Sequence, residues 1–260
     1  MMSKKMLSAL SLTSASVVFA CSSGGGSGTS AAIPSATPDG STGTTPGTGD
    51  DSSVVVIPGT DGADKNPYGV VYPGTKIGIA PRGAPSATVA GSRLQNFAFK
   101  GVMSGNPADP VTRISMAQFF DPESRTHKLI FIQAAGVWCS VCHAEANAIT
   151  PRIQQLKDAG VVWLTAIIES KNPGTPSTLV DLTTWYKAHK TPSPLFLDSG
   201  AESLGAFFSA AAMPWNAIID ARSMEILEAD VGSAQDVWGH VSKQAADWSA
   251  WQKDNAPLAQ

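Results

Sequence analysis

The stretch Lys128-Leu-Ile-Phe-Ile-Gln-Ala-Ala-Gly-Val-Trp-Cys-Ser-Val-Cys-His-Ala-Glu145 changes character half-way along. Lys128 to Ile132 is continuously apolar, as a strand covered on both faces would be. From Cys139 a helical pattern begins, with Glu145, Ile149, Ile153 and Leu156 following at spacings of four, four and three on one face. A Cys-x-x-Cys that opens a helix puts Cys139 at its N-terminus. Free backbone N–H groups and the positive end of the helix dipole favour a thiolate there, so Cys139 is expected to have a depressed pKa and to act as the nucleophile in thiol–disulfide exchange. Cys142, one turn later, is placed to attack a mixed disulfide on Cys139 and release the substrate. Glu145 falls on the inward face beneath Cys142, where apolar surroundings raise a carboxyl's pKa and suit it to proton transfer near neutral pH.

Plainer readings of the same residues stand beside these. A Cys-x-x-Cys can be half of a zinc site, but zinc takes four ligands and there is no second pair. The four histidines, at 127, 143, 189 and 240, are scattered without ligand spacing, so no metal is expected. A purely structural disulfide across so short a loop stabilises little on the loop-entropy model. His143 reads as a solvated helix residue, and Glu145 could serve only to favour the helix N-terminus. The redox group is then the cysteine pair itself, with no other cofactor.

Upstream, Lys4 and Lys5 precede a mildly apolar run from Leu7 to Ala20, the layout of a secretory signal. The run is too short and too rich in serine to span a bilayer core of about 30 Å. The junction Val18-Phe-Ala-Cys21 resembles the lipobox of bacterial lipoproteins. That resemblance implies a signal peptide over 1–20 and a lipidated Cys21 at the mature N-terminus. It also implies a membrane anchor in the cell envelope, facing the periplasm or exterior. An ordinary signal with a leftover Cys21 is the alternative. Since the chain has three cysteines, lipidation would leave Cys139 and Cys142 as an isolated pair.

Residues 21–66 consist largely of Gly, Ser, Thr and Pro, which cannot bury enough surface to offset their ordering entropy and are expected to form a flexible tether. Residues 67–260, about 190 in number, suffice for one domain with a sizeable core. A net charge of −3, with charged residues at 15%, forms no basic stripe, so nucleic-acid partners are discounted. A monomer is expected.

Further apolar runs at Val161–Ile168, Pro194–Leu197 and Trp215–Ile219 read as strands. Helical patterns cover Cys139–Ala159, Leu179–Lys190 and Glu202–Ala211. Met224–Val231 alternates and joins the preceding strand through a turn near Ala221-Arg-Ser, which predicts an antiparallel hairpin. A last helix, from about Ala234 to Trp251, would bury Val237, Val241, Trp248 and Trp251. Short strand-like pieces at Gly69–Tyr72 and Asn96–Phe99 would pair at the sheet edge or form a small hairpin. Lys171–Pro176 reads as a surface loop. The sum is an α/β sandwich with a mixed central sheet.

The segment Phe131–Glu145, with its Trp138-Cys-x-x-Cys142 and trailing Glu145, resembles the thioredoxin superfamily. It is most similar to the exported, membrane-tethered TlpA/ResA-like thiol–disulfide oxidoreductases. Met213-Pro214, just before Trp215, resembles that fold's cis-proline facing the cysteines. The likeness runs from about Leu94 to Trp251 and includes the opening strand Leu94–Phe99 and the segment Ile114–Phe119. It implies a thioredoxin-like three-layer sandwich with an N-terminal strand or hairpin extension. It implies protein thiol and disulfide substrates, positioned by Trp138, Met213 and Pro214, and a membrane thiol reductant or oxidant as redox partner. Gln133 stands where thioredoxin has a buried acid, which leaves Glu145 as the acid near the pair. Where the family often has Pro, this chain has Asn147, and Pro151 arrives later and should kink the helix.

Three other classes compete. A thiol peroxidase needs a Thr or Ser three residues before its reactive cysteine, where Gly136 stands. A copper carrier would use soft thiolates for Cu(I), but no histidine is an obvious third ligand. A tethered domain with vestigial thiols is the plainest.

Overall fold

The computed structural model describes residues 65–76, 91–208 and 212–254, with side chains to Trp248. The signal, Cys21 and the tether up to residue 64 lie outside the described residues, as does the side chain of Trp251.

The strands are β1 (Ala98–Val102), β2 (Thr112–Ser115), β3 (Leu129–Gly136), β4 (Val161–Glu169), β5 (Leu195–Leu197), β6 (Trp215–Asp220) and β7 (Ile226–Val231). They form one sheet in the order β2-β1-β5-β4-β3-β6-β7. β3, β4 and β5 run parallel, and β1, β6 and β7 pair antiparallel to their neighbours. Every residue of β3 and of β4 is buried, which accounts for their unbroken apolar runs.

The alternation along β3 assigns the two faces. Leu129 and Phe131 pack with Ile149, Ile153, Leu156, Val237 and Val241. Those residues come from α1 (Ser140–Ile149), α2 (Ile153–Asp158) and α4 (Val237–Asp254). Ile130 and Ile132 face the other way, toward Phe97, Phe119, Leu204 and Trp215. α3 (Leu179–His189) carries the crossover from β4 to the parallel β5, and α1 touches both α3 and α4. A right-handed crossover of this kind puts α3 on the α1 side of the sheet. The architecture is α/β and thioredoxin-like, with a mixed sheet as its middle layer.

The helix read over Cys139–Ala159 is interrupted at Pro151 as expected, into α1, a 3₁₀ turn at Thr150–Arg152 and α2, because Pro151 has no N–H to donate inside a helix. Ile149, Ile153 and Leu156 still share one buried face across the break. Two other expectations are corrected. The helix foreseen from Glu202 is a 3₁₀ turn at Leu204–Ala206, and residues 209–211 lie outside the described residues. The buried Asp198 carboxylate accepts from the amides of Ser203 and Leu204, which holds this short turn in place of a longer helix. Gly69–Tyr72 is no strand: Val71 makes an isolated bridge to Lys65, while the N-terminal hairpin is β1 with β2.

Candidate active site

β3 ends in the loop that carries Trp138, and α1 begins directly after Cys139. Cys139 is the N-cap residue of α1, and its sulfur accepts from the amide of Cys142 at 3.1 Å. Cys139 and Cys142 are joined as a disulfide. Both are buried, at 2% and 0% exposure, against Ala135, Ile167, Leu182 and Trp185. The loop is tied to the neighbouring strand, since the Val137 amide donates to the Glu169 carbonyl and the Trp138 indole to the Glu169 carboxylate.

The Met213–Pro214 peptide bond is cis, as expected. Its placement follows from the ladder: Ala134 of β3 pairs with Trp215 of β6, so Pro214 enters β6 opposite the strand end that leads to Cys139. A Cβ built on Gly136 would meet the Trp138 Nε1 at 2.7 Å and the Met213 sulfur at 3.1 Å. Trp138, Gly136 and Met213 therefore form one contact patch beside the disulfide, with Trp138 37% exposed as a residue.

Glu145 is 1% exposed. Its Oε2 accepts from Gln133 Nε2 at 2.7 Å, and its Oε1 accepts from Asn216 Nδ2 and Ser233 Oγ at 2.9 Å each. Burial pushes the carboxyl above its ordinary value, outweighing the three hydrogen bonds that favour the charged form. Gln133 also donates to the Cys142 carbonyl, at 3.2 Å, and so bridges the Cys142 backbone to the acid. A cavity of about 280 Å³, lined by Glu145, Asn216, Ser233, Glu228, Asp230 and His240 among others, opens beside the carboxyl. Its walls are mixed, with Phe131, Ile218, Val231 and Val237 beside these polar groups, and it is large enough for water to reach them.

Sequence reasoning missed several of these residues. Asn216 and Ser233 lie 71 and 88 positions from Glu145, with no motif to tie them to it. Glu145 is not alone, because Glu169 reaches the same loop through Trp138. His143 is not a solvated residue: it is half-buried, stacked on Trp185 at 4.7 Å between ring centroids and bonded to His189 at 2.6 Å. The two histidines meet because α1 packs on α3. Cys139-x-x-Cys142-His143 also has the spacing that attaches c-type haem. Here both ring nitrogens of His143 are taken, by His189 and the Val137 carbonyl, and the sulfurs are bonded to each other, so the residues as arranged do not fit a haem ligand. Among the described residues no cluster of three or more His, Cys, Asp or Glu could hold a metal ion.

No protein-family model and no curated protein matches the chain. Solved structures do. The thioredoxin domain of a thiol-disulfide oxidoreductase from Bacteroides vulgatus is 14% identical, with a TM-score of 0.44 over 60% of this chain and 96% of that one. A thiol:disulfide interchange protein from a Bacteroides species is 14% identical, with a TM-score of 0.40 over 56% of this chain and 84% of that one. A reduced 2-Cys peroxiredoxin from Plasmodium vivax is 14% identical, with a TM-score of 0.46 over 64% of this chain and 98% of that one.

Proposed function

We propose that this chain is a thiol–disulfide oxidoreductase, tethered outside the cytoplasm, that exchanges disulfides with protein substrates through Cys139 and Cys142. The observation that carries the reading is a disulfide at the N-terminus of α1, with Pro214 entering the strand beside it. A peroxidase is not favoured, since Gly136 offers no hydroxyl three residues before Cys139.

In the reducing direction, the Cys139 thiolate attacks a substrate disulfide, forming a mixed disulfide and expelling one substrate thiolate. Cys142 loses its proton and attacks the Cys139 sulfur, so the Cys139–Cys142 bond re-forms and the second substrate sulfur leaves as a thiolate. The substrate has gained two electrons and takes up two protons. Glu145 acts as the acid–base group for Cys142, with Gln133 holding it near that residue. Trp138 and Met213 flank the bond and meet the substrate, whose extended backbone pairs with Met213 beside Pro214.

The tether over 21–66 and a lipid on Cys21 would hold the domain to a membrane in the cell envelope. Support for that part is the composition and order of residues 1–66. Replacing Cys21 by serine should release the protein from the membrane fraction and abolish labelling by fatty acid.

The test of the chemistry is Cys142→Ser, which should stall as mixed disulfides between Cys139 and partner proteins, resolved by dithiothreitol. Wild-type protein should also catalyse insulin reduction by dithiothreitol. Absence of both results would overturn the reading.

A further inference from the structure

The pair His143 and His189 has no role in the chemistry above, yet it is built against the cysteine loop. His143 Nε2 contacts the Val137 carbonyl at 2.8 Å, and its Nδ1 contacts His189 Nε2 at 2.6 Å. His189 Nδ1 in turn contacts Asn147 Oδ1 at 2.9 Å. The main chain closes the same loop from inside, with the His143 amide donating to the Cys139 carbonyl at 3.1 Å. The imidazole therefore spans the segment 137–143, which contains both sulfurs.

Counting protons along this chain leaves two solutions. A carbonyl only accepts, so His143 Nε2 carries a hydrogen. With Asn147 Oδ1 facing His189, as here, His189 Nδ1 must donate, and its Nε2 is then an acceptor. His143 Nδ1 must donate to it, and His143 is an imidazolium. If the Asn147 amide turns over, its NH₂ donates to His189 Nδ1, His189 Nε2–H donates to His143 Nδ1, and both rings are neutral. Each arrangement satisfies every hydrogen bond, and they differ by one proton and one amide turn. A second proton is disfavoured: burial first, and then the charge of His143, hold His189 down at about 4. The Trp185 ring under His143 suits a cation.

We propose that the His143–His189 pair is a one-proton positioning device for the disulfide, in which the imidazolium of His143 stabilises the thiolate that Cys139 becomes on reduction. This rests on the thiol–disulfide function proposed above. The stoichiometry is closed. A dithiol donor gives two electrons and releases two protons as it becomes a disulfide. The pair of cysteines becomes one thiolate and one thiol, taking one of those protons; the other goes to the histidine pair where it starts from the neutral arrangement, and to water where the imidazolium is already in place. The groups in contact with His143 are His189 and Trp185 from α3, the Val137 carbonyl from the loop and, through the His143 amide, the Cys139 carbonyl. Lys187 and Lys190 flank His189 with exposed side chains, Glu169 is engaged by Trp138, and Glu145 by Gln133, Asn216 and Ser233.

Linkage makes the effect measurable from both ends: a thiolate that favours the proton on the pair is favoured by that proton by the same factor. The test uses the full chain carrying Cys21→Ser, so that only Cys139 and Cys142 titrate. NMR titration of the histidine ring signals should show the pair binding its proton roughly tenfold more tightly in the reduced than in the oxidised protein, as expected for an opposite charge nearby. H143Q keeps a neutral donor toward Val137 but cannot be charged. It should shift the redox equilibrium with glutathione roughly tenfold toward the disulfide and raise the thiolate titration midpoint by the corresponding amount. Equal histidine titrations in the two redox states would overturn the proposal even if H143Q did not fold. A wild-type protein that exchanges with glutathione while H143Q titrates identically would overturn it too and leave the function intact. A wild-type protein that does not exchange at all overturns the function and the proposal with it.

Discussion

The Trp138 indole Nε1 donates to the Glu169 carboxylate at 2.6 Å, a bond between the loop after β3 and the end of the adjacent parallel strand β4. The ring shares the space over Gly136 with Met213, which packs against the buried cysteines, so attack on the oxidised pair requires part of this cover to move aside. Glu169→Ala removes the tie. Reduction by a small dithiol should then accelerate about tenfold, the equivalent of a charge-assisted hydrogen bond of about 1.5 kcal/mol. Exchange with a protein substrate should slow, because the ring no longer presents a fixed surface. Stopped-flow rates with dithiothreitol and with an unfolded protein disulfide check both; unchanged rates would remove Trp138 from its covering role.

Gly136→Ala attacks the same patch from below. The new methyl falls 2.7 Å from the indole nitrogen and 3.1 Å from the Met213 sulfur, so both side chains must shift. An overpacking cost of about 1–3 kcal/mol is expected in urea unfolding, with slower protein exchange. A variant of full stability and normal rates would mean that neither side chain needs its present position.

Glu145 gives a stability prediction with a definite sign. Its folded-state pKa lies above the ordinary 4.5, so above that pH the folded protein holds a proton the unfolded chain has released. Its favourable contribution is complete below pH 4.5 and is lost as pH rises through the raised value. Glu145→Gln should flatten that part of the stability curve and slow disulfide exchange at neutral pH by about 100-fold, the scale of a lost acid–base group. Chemical denaturation of the oxidised protein across pH, beside insulin-reduction rates, tests the two halves separately.

His189 has the opposite sign. Burial lowers it from 6.5 to about 4, so between those values the unfolded chain binds the extra proton. The contribution is present above pH 6.5 and is lost as pH falls through about 4. His189→Gln should remove this acid loss, seen as a smaller drop in the urea midpoint between pH 7 and pH 4. A drop as large as that of the wild type would assign the acid sensitivity to other groups.

Much of this was legible in the chain. The apolar runs of β3 and β4 follow from burial on both faces, and Cys139 at the start of a helix follows from the switch of period after Gly136. Pro214 was found by resemblance, and its register against β3 explains its place. What could not be read depends on packing between distant elements. His143 meets His189 across 46 positions because two amphipathic helices share a face, and hydropathy patterns say nothing of which polar edges then touch. The partners of Glu145 come from β6 and the turn after β7, where Asn216 and Ser233 look like ordinary polar residues. Nor does any local signal show that β1 inserts beside β5, since that pairing joins residues nearly 100 positions apart.

The pairing of Ala134 with Trp215 has a last consequence. The cysteine loop and the proline that faces it hang from the same rung of the ladder, between two interior strands of a seven-stranded sheet. Central strands are the last to open in native-state amide exchange, while edges and loops fluctuate long before global unfolding. Heat or denaturant should therefore leave the spacing between the two halves of the site intact until the whole domain lets go, with the slowest-exchanging amides of β3 and β6 marking that shared limit. Partly opened forms of the domain would lose β2 or β7 first and still present an assembled pair of sulfurs.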